Sequence, residues 1–170
     1  MKHERDISGT PPQQVPVGAV RVGMVGTLSL PAQMLIACFR LHGSAGRDYV
    51  EAGHAHQHAL LRQRMAPAEA LACLEALHDL FDSLARCGRR RLIPHAPECS
   101  CLGADEAVVA HFVSTAAMGA REDAMLLASL LAEGATLLRL TDTAQRAGLY
   151  LERAGRRAPA FPDPCNATRH

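Results

Sequence analysis

The chain has 170 residues, 48% of them apolar, and a formal net charge of +1 with histidine neutral. That suffices for one domain with a real core, and it excludes both the overall basic field of a nucleic-acid binder and an acidic solvating tail. Four Phe, two Tyr and no Trp leave the core to Leu, Ala, Val and Met, and the six Cys lack the framework spacing of a small secreted scaffold, so they read as reduced thiols of a cytoplasmic protein.

Residues 1–28 hold Pro11, Pro12, Pro16 and several Gly without a sustained period, which predicts a disordered tail. Val15 to Val25 carries β-branched residues, but its Gly and Pro content argues against a stable sheet. From Val22 to Phe39 there is no charge, between Arg21 and Arg40, yet Gly23, Gly26, Ser29, Pro31 and Gln33 dilute the run below a spanning helix. Leu35-Ile36-Ala37-Cys38 resembles the lipobox of bacterial lipoproteins, although the cysteine comes late for a signal peptide. The reading adopted is a loop followed by a buried first helix, from Ser29 or Leu30 with Pro31 in its first turn to Gly43.

A second helix, diluted by Gly46 and Gly53, is expected from about Ser44 or Arg47 to Arg64. The third begins at Pro67 and stops at Gly88, with a stripe of Leu71, Leu74, His78, Phe81 and Ala85 widened by Leu77, Leu80, Leu84 and Cys87. The fourth runs from about Asp105 to Gly119, its Asp105 and Glu106 suiting the positive end of the helix dipole. The fifth, Arg121 to Glu133, carries Met125, Leu126, Leu127, Leu130 and Leu131 over so wide an arc that it is expected to be central and buried. The sixth runs from about Ala135 to Ala154, and Pro159, Pro162 and Pro164 mark residues 156–170 as a second disordered tail. The expected architecture is an all-α, irregular bundle of five to six helices over residues 29–155.

The segment with chemistry in it is the long connection Gly88–Gly103, since a loop of this length in a small helical domain is functional or disordered as a rule. It holds His95, Cys99 and Cys101, and Cys87 stands at the end of the preceding helix, giving C-x7-H-x3-C-x-C. Zinc takes four borderline or soft ligands in a tetrahedron, and these four residues offer one imidazole and three thiolates. The chemistry this points to is a structural or sensing zinc centre; the alternatives are a redox pair made by Cys99 and Cys101, a metal- or thiol-dependent enzyme using the same loop, or cysteines that are small apolar fillers in a loop packed over the helices. The run His95-x3-Cys99 resembles the H-x3-C-x2-C of zinc-binding anti-sigma factors, with the second cysteine one residue early, and the longer string from His95 to Glu106 resembles one found in small helical bacterial proteins of unknown function. The first resemblance implies zinc; the second implies no activity.

Other clusters read more blandly. In a helix His54 and His58 share a face at i, i+4, whereas His56 points roughly 160° away, so surface or half-buried histidines are the expectation. Arg89, Arg90 and Arg91 are read as a helix end able to dock an acidic protein surface. Without an aromatic platform, nucleic acid is not an expected partner. There is no Gly-rich phosphate loop, nucleophile elbow or H-E-x-x-H. Together these features predict a non-catalytic regulatory or adaptor protein with a protein partner; a structural subunit of a larger assembly is the remaining alternative, and the oligomeric state is left open.

Overall fold

The computed structural model describes residues 15–44 and 50–157. Six helices carry the architecture: α1 (Leu30–Ser44), α2 (Val50–Arg62), α3 (Pro67–Cys87), α4 (Ala104–Ala117), α5 (Arg121–Leu131) and α6 (Leu137–Gly155). Among the described residues the fold is all-α apart from one antiparallel pair, β1 (Arg21–Met24) with β2 (Cys101–Gly103), and an isolated bridge between Gly88 and Ala132. Helix limits follow the punctuation in the sequence. Pro67 opens α3, where its missing N–H costs nothing. Gly119 and Gly134, with φ of 80° and 48°, reverse the chain after α4 and α5 in a conformation only glycine adopts freely.

The core is built from Leu, Ala and Phe side chains of α1, α3, α4 and α6, with Phe81 and Phe112 as its largest members. Helix α4 is central. It packs on α6, α5 and α1, and residues around most of its circumference are buried, from Val109 and Ala110 to Phe112, Val113 and Ala116. The expectation that α5 would be central and buried is corrected: only Ala124, Ala128 and Leu131 of that helix are buried, whereas Leu126 and Leu130 are 67% and 65% exposed. Small alanines let α5 lie close to its neighbours, so Leu126 and Leu130 point outward while Leu127 and Leu131 pack toward the core. Of the stripe expected on α3, Leu74, Leu77, Leu80, Phe81 and Leu84 face the core; Leu71 and Ala85 lie on the exposed side, and Ala70, Cys73 and Ala76 are buried in their place.

The segment before α1 departs from the expected tail. Residues 1–14 lie outside the described residues, but Val17–Ala19 and Val25–Thr27 form 3-10 turns on either side of β1. Extended pairing of β1 is possible despite Gly23 because a register irregularity between Arg21 and Gly23 absorbs the misfit. The lipobox-like Cys38 sits in the middle of α1, fully buried, and burial pushes its thiol up to about 12. Cys73 is buried beside it and raised in the same way, so both thiols are inert core residues. No helix among the described residues is long and apolar enough to cross a membrane. The expected C-terminal tail begins after α6, and residues 158–170 lie outside the described residues.

Candidate functional site

The Gly88–Gly103 connection is held by the first turn of α4. Glu106, at the third helical position, accepts from the backbone N–H of Gly103 at 2.9 Å, which satisfies one of the donors a helix N-terminus leaves open. It also accepts from the N–H of His95 at 2.9 Å. From the far side, Arg40 of α1 closes a two-pronged pair on the same carboxylate, Nε to Oε1 at 2.7 Å and Nη2 to Oε2 at 2.8 Å. The guanidinium then donates onward to the carbonyl oxygens of Cys99 at 2.5 Å and Cys101 at 2.6 Å. Burial pushes the Glu106 carboxyl up, but Arg40 and the two N–H groups outweigh it and hold it below the ordinary carboxylate range.

Asp105 fastens the beginning of the loop. It takes both prongs of Arg90, at 2.7 and 2.5 Å, and the N–H of Ile93 at 2.9 Å. Here too burial raises the carboxyl and the arginine and backbone bonds bring it down further than burial lifts it. Gly18 lies against this carboxylate: a Cβ at that position would stand 2.0 Å from Oδ2.

With its backbone clamped in this way, the loop presents His95, Cys99 and Cys101 together. The three ligand atoms lie within 4.8 Å of one another, and all three residues are half-buried, a grouping that can hold a metal ion. Cys99 and Cys101 are joined by a disulfide, with Cα atoms 5.5 Å apart. Nδ1 of His95 lies 3.2 Å from Cys101 Sγ and 3.9 Å from Cys99 Sγ. Its other nitrogen, Nε2, is 2.8 Å from the carbonyl oxygen of Ala19. A carbonyl only accepts, so Nε2 carries a proton, and Nδ1 is the nitrogen that faces the sulfurs and holds the lone pair of the Nε2–H tautomer. That atom can take a proton from a thiol or bind a metal alongside two thiolates, and the carbonyl behind it plays the orienting role usual for metal-binding histidines.

Cys87 does not join this group. It lies at the end of α3, half-exposed, on a separate cavity lined by Ser83, Arg86, Thr136, Arg139 and Leu140. The loop thus gathers three of the four expected ligands, which leaves one position of a tetrahedron open. The arginine cluster divides as well. Arg89 pairs with Glu133 and donates to the carbonyl of Ser129, and Arg90 serves Asp105. Arg91 is exposed and has no ion-pair partner among the described residues. Of the histidines on α2, His54 turns to a cavity shared with His42 and His78, and His58 does not line it.

Arg40 and Glu106 are the functional residues that sequence reasoning missed. Arg40 stood only as the end of an uncharged run, and Glu106 only as a complement to the helix dipole. The available signal was a lone charge flanked by Phe39 and Leu41 inside a helix, since a charge in an apolar stretch is almost never buried without a partner. No family model matches the chain, and no curated protein or solved structure matches it either.

Proposed function

We propose that the chain is a small regulatory protein whose cysteine–histidine loop is a zinc-binding thiol switch. Reduced, His95, Cys99 and Cys101 hold one Zn²⁺, with the fourth position left to water or to a group from a partner protein. Oxidised, the two cysteines pair and the metal site no longer exists, because both sulfurs have lost the charge and lone-pair availability that a thiolate ligand supplies. The observation that carries this reading is the lone pair of His95 Nδ1, aimed at Cys101 Sγ 3.2 Å away beside a Cys99–Cys101 pair close enough to bond.

Oxidation by an external disulfide balances without further reactants. In the metal-free reduced form, Cys101 gives its proton to His95, and its thiolate attacks one sulfur of R–S–S–R, breaking that bond and releasing R–S⁻. Cys99, as thiolate, then attacks the Cys101 sulfur of the mixed disulfide, forms the Cys99–Cys101 bond and expels a second R–S⁻. Two electrons pass to the external disulfide, and the two thiol protons end on the released thiols.

Metal analysis of the full chain, purified without a histidine tag, tests this. Reduced wild type is expected to carry about one equivalent of zinc at the loop, lost in Cys99→Ala/Cys101→Ala and released on treatment with oxidised glutathione, with the new disulfide found by mass spectrometry. Reduced protein with no zinc at the loop, or zinc retained there after the disulfide has formed, overturns the reading.

A further inference from the structure

A second group of ligating side chains stands between α1, α2 and α3. His42 in the last turn of α1, His54 of α2, and His78 and Asp82 one turn apart on α3 surround a cavity of about 330 Å³. The ring centres of His54 and His78 are 4.0 Å apart, and those of His42 and His78 are 5.6 Å apart. Nε2 of His42 lies 3.5 Å from Oδ1 of Asp82.

The orientation of His78 is fixed from behind. Gln57, fully buried on α2, places its side-chain nitrogen 2.7 Å from the carbonyl oxygen of Cys38, which can only accept. The amide oxygen therefore faces the other way, 2.7 Å from His78 Nε2, and an oxygen can only accept there too. Nε2 of His78 must carry the proton, and the lone pair of the neutral ring is on Nδ1. A backbone carbonyl thus sets an amide, and the amide sets an imidazole, as in the outer shell of a metal centre.

We infer that the cavity bounded by His42, His54, His78 and Asp82 is a binding site for a divalent transition-metal cation, separate from the cysteine loop. Three imidazoles and one carboxylate are the donors zinc, iron(II), cobalt(II) or nickel(II) take up, and sites of this kind lie between the facing helices of a bundle. An anionic ligand fits poorly. Asp82 already sets a carboxylate on the cavity wall, and the contact of His78 Nε2 with the Gln57 oxygen leaves a ring lone pair on Nδ1. The cavity is wider than the cysteine site, whose three ligand atoms already lie within 4.8 Å of one another; a cation here draws His42, His54 and Asp82 inward onto the fixed ring of His78 by side-chain rotation, and room for that is what the cavity provides.

The experiment uses the full untagged chain carrying Cys99→Ser/Cys101→Ser, which removes the loop thiols, titrated with Co²⁺ and then Zn²⁺ by calorimetry and visible absorption. One equivalent of Co²⁺ is expected to bind with d–d bands and no thiolate-to-cobalt charge transfer. Asp82→Asn and His54→Ala, at half-exposed or half-buried positions, are each expected to weaken binding about 10-fold or more with the helical circular dichroism unchanged; His58→Ala, off the cavity wall, leaves it as it was. No saturable binding, a thiolate charge-transfer band, or wild-type affinity in both cavity variants overturns the assignment. None of these results bears on the loop site, because its cysteines are absent from the protein tested.

Discussion

Arg40 and Glu106 stand 66 positions apart in the chain and meet as a two-pronged ion pair, 2% and 0% exposed, whose spare hydrogen-bonding capacity is spent on the backbone of the cysteine loop. Breaking a buried pair by removing one partner leaves the other charge unpaired and costs about 3–5 kcal/mol. Arg40→Met is therefore expected to lower the urea midpoint of unfolding strongly, and at a denaturant concentration where the variant is still folded, to speed alkylation of Cys99 and Cys101 in reduced protein. Arg40→Lys is expected to recover only part of the loss, because an ammonium cannot span both carboxylate oxygens and two carbonyls.

Gly18→Ala is expected to act at a distance in sequence. The added methyl would stand 2.0 Å from Asp105 Oδ2, and Asp105 cannot retreat without giving up Arg90 or the Ile93 N–H. Overpacking of this kind costs about 1–3 kcal/mol. Asp105→Asn in the same chain is expected to add less than its own separate cost, since both changes break one contact, and a double-mutant cycle on unfolding free energies measures that shortfall.

Acid should weaken the fold in two stages. Burial, then the neighbouring His54 and His42, holds His78 at about 4 against an ordinary 6.5. The unfolded chain binds a proton there below 6.5 and the folded chain does not, so stability is full above 6.5 and falls as the pH drops toward about 4. Glu106 is held below its ordinary 4.5, so its contribution is full above that pH and is lost below it. Thermal midpoints measured across pH 7 to 3 should show both declines; His78→Gln should flatten the upper one and Glu106→Gln the lower.

Cys87→Ser is expected to leave zinc at the loop unchanged, in contrast to either Cys99→Ser or Cys101→Ser. The residue lines another cavity. Equal loss of metal in all three single variants, measured by mass spectrometry on reduced protein, would place Cys87 at the centre after all.

Exposed leucines on α5 should tolerate charge. Leu126→Lys and Leu130→Lys are expected within about 0.5 kcal/mol of wild type, whereas Phe112→Ala in α4 should cost about 3–5 kcal/mol. Chemical denaturation of the three variants checks the ranking, and similar losses in all would mean the two leucines are covered in solution.

How legible all this was depends on the kind of interaction. Helix limits near Pro67, Gly88, Gly119 and Gly134 are local and could be read directly. The meeting of His95, Cys99 and Cys101 could be anticipated because all three lie on one short segment. The place of α5 could not, because counting apolar residues gives Leu126 and Leu130 more weight than Ala124 and Ala128, and close packing prefers the small ones inside. β1 was obscured by Gly23 and the glycines that flank it, and its partner strand begins 77 positions after Met24 at Cys101, so its pairing depends on a distant segment. The Arg40–Glu106 clamp and the Cys38–Gln57–His78 relay are likewise tertiary: the lone charge at Arg40 stands out locally, but no periodicity or spacing names its partner or the members of the relay.

The carbonyl of Ala19 is the atom that decides which nitrogen of His95 is basic, and it belongs to a glycine-rich stretch that looks expendable. A chain trimmed to begin at Leu28 would keep α1 to α6 and the whole of the cysteine motif in its sequence, but it would lose the strand that β2 pairs with and the acceptor that orients the imidazole. The stretch before α1 is thus part of the chemistry as well as of the packing.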